Sequence, residues 1–89
     1  MLAHSVVPLP IDRVIVDRVD AVPTVKPGCT SYTITANTVE DQPRRRQYQT
    51  VRELDASACQ RSKELQIPIR IRWKRTNYGN DITRVEIER

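Results

Sequence analysis

Residues 67–74, Ile-Pro-Ile-Arg-Ile-Arg-Trp-Lys, constrain this chain more than any other stretch. The odd positions are Ile67, Ile69, Ile71 and Trp73; beyond Pro68 the even positions are Arg70, Arg72 and Lys74. Successive side chains of a strand point to opposite faces. The stretch therefore reads as a strand with one apolar and one cationic face. A helix would scatter both sets around its circumference, and the β-branched residues also favour the strand. The apolar face needs cover from the rest of the chain, and Trp73 is expected in the core with the isoleucines. The cationic face needs solvent, carboxylates or an anionic ligand.

With 89 residues, one small domain is expected. Residues 1–10 hold Pro8 and Pro10 and read as an extended lead-in; residues 11–89 read as the domain. The first strand is expected over 11–22. Ile11, Ile15 and Val19 lie on one of its faces and Val14 and Val16 on the other, so it should bend through the core. Residues 23–28 form a loop by their Pro and Gly content. A second strand is expected over 29–38, with Tyr32, Ile34 and Ala36 sharing a face, and a third over 44–52, with Arg44, Arg46, Tyr48 and Thr50 together. One helix is expected over 54–66. Leu54, Ala58 and Leu65 lie at helical spacing on its packed side, bordered by Cys59. Thr50 or Asp55 is its expected cap, and Pro68 forbids continuation. Asn77-Tyr78-Gly79-Asn80 reads as a hairpin turn before a last strand over 81–89. The alternation breaks between Ile82 and Val85, which places a bulge near Thr83.

The order is mainly β with one helix, β-β-β-α-β-β. It resembles a minimal OB-fold, a five-stranded Greek-key barrel whose helix lies between the third and fourth strands. The resemblance spans roughly residues 11–88 and is one of pattern. A short Leu/Ala helix runs straight into an apolar-alternating strand, and an Asn/Gly hairpin leads to a closing Val85-Glu86-Ile87-Glu88 strand. The first strand carries no glycine, and an open antiparallel sheet with one packed helix is the competing arrangement.

The net charge of +4 is unevenly spread. In residues 44–75, ten bases meet only Glu53, Asp55 and Glu64, while residues 1–43 are net acidic. Twelve of the fifteen bases are Arg, whose planar fork suits phosphate and stacks on flat rings. The cationic candidates are Arg44, Arg46, Arg70, Arg72, Lys74 and Arg75, from the third and fourth strands and their ends. The resemblance implies ligand binding on the second and third strands and on the loops joining strands one to two and four to five. Tyr48 and Tyr78 are then the expected stacking rings, while Tyr32 is expected in the core. Cationic grooves with aromatic platforms hold single-stranded nucleic acid, and with only two platforms affinity should lean on phosphates and fall steeply with salt. Two other readings stand beside this one. The basic face is merely solvated or blunts a strand edge, or the chain is a protein–protein interaction module, homodimeric and without a nucleic-acid role.

Catalysis is not expected. His4 is the sole His and lies in the lead-in; with only Gly28 and Gly79 there is no glycine-rich phosphate loop. Cys29 and Cys59 stand thirty residues apart, which is no zinc spacing, and two free thiols are expected. Asp17, Asp20, Glu40 and Asp41 are the carboxylates that could gather around a metal, an arrangement rarely met among scattered surface acids. No cofactor or metal is expected. No signal-peptide pattern and no apolar run of about 20 residues occurs, so a soluble cytoplasmic protein is expected.

Overall fold

The computed structural model describes residues 10–25 and 28–88. The expected lead-in, except Pro10, lies outside the described residues, and so does His4. Five strands and one helix follow in the expected order: β1 (Ile11–Pro23), β2 (Thr30–Thr38), β3 (Arg45–Thr50), α1 (Glu53–Leu65), β4 (Ile69–Thr76) and β5 (Gly79–Ile87). The strands close into a barrel in the order β1-β2-β3-β5-β4, so the sheet is not open. Among the described residues no helix is long and apolar enough to cross a membrane.

Two bulges let the sheet close without glycine in β1. Between Val16 and Arg18 β1 advances two residues while β2 advances one. The inward set then changes parity, from Val14 and Val16 before the bulge to Val19 beyond it. Bulges add bend and twist to a strand, and here one supplies the curvature that apolar residues on both faces implied. β5 repeats the device. Arg72 faces Arg84 but Trp73 faces Ile82, which leaves Thr83 as the extra residue, where the break in alternation placed it. Ile82 points inward before the bulge and Val85 after it.

Val14, Val16, Ile34, Ala36, Ile69 and Ile71 are fully buried and form the core, with Trp73 partly buried against it. α1 packs against the barrel differently from its apolar periodicity. Leu54 and Leu65 are 85 % and 61 % exposed, and the buried positions are Ala56, Cys59 and Ser62. Small residues let the helix approach closely enough for the Ser62 hydroxyl to act on the sheet itself. It accepts the Val16 N–H at 3.1 Å, beside the β1 bulge, and donates to the Ile67 carbonyl at 2.7 Å. The helix start also departs from expectation. Neither Thr50 nor Asp55 caps it; the Thr50 hydroxyl accepts the Arg52 N–H, and Asp55 pairs with Arg52 at 2.7 Å. At the other end Gln66 takes a left-handed conformation (φ 55°) and the Ile67 N–H returns to the Ser62 carbonyl at 3.2 Å. This is a Schellman-type end with glutamine in the usual place of glycine.

Both cysteines are free; Cys29 is exposed and Cys59 buried. Burial, with Asp55 nearby, pushes the Cys59 thiol up to about 12. In the folded protein a thiol reagent should titrate Cys29 promptly and reach Cys59 only after denaturation; two equally fast thiols would contradict this packing. Ser62→Ala strands a buried N–H and a carbonyl together, and should cost about 2–4 kcal/mol in urea unfolding. A loss under about 0.5 kcal/mol, the ordinary scatter of surface substitutions, would mean that the hydroxyl does not hold helix to sheet.

Candidate nucleic-acid interface

The eight residues expected to bind a ligand do not form one surface. Alternation puts Arg46, Tyr48 and Thr50 on one side of β3, as the sequence implies, but that side faces inward. Tyr48 is 1 % exposed and cannot stack on a ligand. Its ring meets Trp73 edge-on with centroids 6.3 Å apart, and its hydroxyl donates to Asp12 Oδ2 at 2.5 Å. Trp73 Nε1–H donates to the same oxygen at 2.9 Å. Arg46 completes this end of the barrel, 3.6 Å from Asp12 and with its guanidinium 5.6 Å from the Trp73 ring centre. Burial first, then the hydrogen bond and charge of Asp12, push the Tyr48 hydroxyl well above its usual value of 10. It remains a donor at any working pH.

Arg44 lies before β3 and closes the loop from β2. Its guanidinium meets Glu40 at 3.0 Å, and its N–H donates to the Thr38 hydroxyl at 2.8 Å. Thr38 and Arg44 together hold the Glu40 carboxyl below its usual value. Arg70 is exposed but engaged, because Glu88 lies 3.3 Å from it and 2.7 Å from Arg13. Of the four acids considered for a metal, all but Asp41 are spent similarly. Asp17 pairs with Arg45, Asp20 with Arg18 and Glu40 with Arg44. No metal-holding group of three ligand-type side chains occurs among the described residues.

Arg72, Lys74, Arg75 and Tyr78 remain. None of the three cations makes an ion pair or side-chain hydrogen bond among the described residues. Tyr78 caps the β4–β5 hairpin and is 85 % exposed. The turn is set by Thr76, whose hydroxyl accepts the Tyr78 N–H at 3.1 Å and donates to the Gly79 carbonyl at 3.3 Å. Gly79 takes φ 124°, a backbone region that side chains disfavour. Tyr78 borders two open clefts. One, of about 330 Å³, lies between Arg75 and the outward Thr33, Gln47 and Gln49 of β2 and β3. The other, of about 700 Å³, lies between Lys74, Val51, Thr24 and Ile82. Asp81 stands opposite Lys74 across the ladder but is taken by the Gln49 amide at 2.6 Å.

Gln47 and Gln49 join the surface although the sequence reading did not select them. The available signal was their alternation with Tyr48: once that ring is inward, both amides face out.

Glu88 is the acid that separates engaged arginines from free ones. Its carboxyl is held below the usual 4.5, first by the hydrogen bond from Arg13 and then by Arg70. A depressed carboxyl stabilises the fold above its unfolded value and loses that contribution as pH falls through the folded one. Wild type should therefore melt higher than Glu88→Gln at neutral pH, and the gap should close below pH 4.5. A gap that persists in acid would assign the effect to something other than the ionised carboxylate.

No protein-family model, curated protein or solved structure matches this chain, so its function has to be argued from the surface itself.

Proposed function

We propose that this barrel binds single-stranded nucleic acid, without catalysis, across the outer side of β2 and β3 and beneath the β4–β5 hairpin. The observation that carries the reading is Tyr78, held in water at the tip of a tight turn and flanked by unpaired Lys74 and Arg75. Among the described residues that ring has no hydrogen-bond or ring partner, whereas a base gains about 1–3 kcal/mol from stacking on such a platform. Two cations beside it supply phosphate contacts. Thr33 and Gln47 offer a hydroxyl and an amide to base or sugar edges. The strand order and the helix position are compatible with an OB-like barrel, whose usual ligand surface is this one. That support is fold analogy and ranks below the hairpin.

A second reading, homodimeric assembly, is favoured by the outward Leu54 and Leu65 of α1. Sedimentation at two protein concentrations separates it from the first, since a monomer that binds oligo-dT leaves the leucines without this role.

Anisotropy of labelled oligo-dT provides the direct test. Tyr78→Ala should weaken binding by about 1–3 kcal/mol and leave unfolding unchanged. Tyr48→Phe should do the reverse, costing about 1 kcal/mol of stability with affinity intact. Binding that Tyr78→Ala leaves untouched, or that is absent at low salt, would overturn the reading.

A further inference from the structure

Like charges directly opposite each other in an antiparallel ladder destabilise it. The outer side of β4 carries two such pairs, Arg70 opposite Arg13 of β1 and Arg72 opposite Arg84 of β5. The fold answers the first with Glu88, which reaches both guanidinium groups. The second has no acid that reaches both members. Arg72 has no partner among the described residues. Among the described residues the one carboxylate paired with Arg84 is Glu86, further along its own strand at 3.3 Å, and Arg84 remains 66 % exposed beside it. On the β1 side of the same row stands Ile11, half exposed and without charge. Two arginine forks thus share a row with no carboxylate bridging them, because Glu86 pairs with Arg84 alone. Side chains so opposed start about 5 Å apart at Cβ, near enough for both forks to close on one phosphate.

From these contrasts we propose that Arg72 and Arg84 form a second phosphate seat on the side of the barrel formed by β1, β4 and β5. A nucleic-acid strand held at the hairpin continues over Lys74 to reach it. The proposal rests on the strand-binding reading above and extends it to a surface which that reading leaves unused. Lys74 links the two, because it borders the cleft under Tyr78 and shares the outer face of β4 with Arg72. Two steps of a strand separate these cations by roughly 7 Å. On the outer face of β4 the unpaired cations Lys74 and Arg72 end at Arg70, where Glu88 takes over, so the track has a defined limit.

The test uses the Arg72→Gln/Arg84→Gln double variant with oligo-dT of about 5 and about 15 nucleotides, lengths that bracket one barrel's site size. Anisotropy is read over a series of salt concentrations. Both proteins should bind the short strand alike. The long strand should bind wild type more tightly and with steeper salt dependence; the double variant should lose that gain, its log–log slope falling by about 0.7 to 1.4. Its Tm should equal or exceed that of wild type, because an opposed pair is relieved. Unchanged long-strand affinity and slope would overturn the seat while leaving the hairpin reading in place. If wild type binds neither length, the hairpin reading fails by itself, and the seat is then judged with inorganic phosphate. Shifts of the Arg72 and Arg84 Nε–H resonances with Arg13 and Arg70 still would sustain it. No shift, or an equal shift at all four, would overturn it, as would a preference for a glutamate-rich peptide over oligo-dT.

Discussion

Because the chain contains no phenylalanine, the large rings of its core end are a tyrosine and a tryptophan, each carrying a polar atom. A buried hydroxyl or indole N–H without a partner costs about 1–3 kcal/mol. One oxygen of Asp12 satisfies both, accepting from Tyr48 and from Trp73. Arg46 then balances the carboxylate and lies against the indole. This arrangement pins β1, β3 and β4 through one acid. It also decides function indirectly. An arginine and a tyrosine that looked like a binding pair are committed to the interior, so any ligand surface has to be built elsewhere.

Closure of the barrel is solved with comparable economy. β3 and β5 run parallel and share a single bridging pair, Gln49 with Asp81. Backbone pairing alone would leave that seam open, and side chains stitch it. Gln49 reaches Asp81, and the Asn80 amide donates to the Gln47 carbonyl at 3.0 Å. Arg52 donates to the carbonyls of Ile82 and Thr83, where the bulge interrupts the ladder. The bulge therefore has two consequences. It returns Val85 to the core, and it presents carbonyls to an arginine at the start of α1. The polar character of β3, which made it the least obvious strand of the sequence, is what this seam requires.

The strand order, the hairpin and the Thr83 bulge were legible because each is written in local alternation. Residues 67–74 show two faces without reference to anything distant, and the parity change between Ile82 and Val85 marks its own bulge. Alternation reports which side chains share a face, not which face is inward. It pairs Arg46 with Tyr48 but does not show that they turn inward, because the residue that draws them in, Asp12, lies far away in the chain. The helix misled for a related reason. Leu54 and Leu65 are its most apolar residues, yet distance to the sheet decides burial, and only the small side chains Ala56, Cys59 and Ser62 permit the Ser62–Val16 contact. Their spacing of three was the available sign.

Charge follows the same division between composition and placement. The excess of bases in residues 44–75 suggests a broad cationic surface, but most of those arginines meet a carboxylate once the chain folds. Exposed pairs of this kind contribute little to stability, about 0–1 kcal/mol each. Their larger effect is to cancel field over the regions where they lie. Three acids of the first half thus neutralise the basic middle: Asp12 at Arg46, Asp17 at Arg45 and Glu40 at Arg44. Arg72 and Lys74 on the outer face of β4, and Arg75 near its end, fall outside the reach of those acids. Cations gathered beside one hairpin orient an approaching anion in a way that a uniformly basic surface cannot. The exposed ring of Tyr78 stands where they would deliver it.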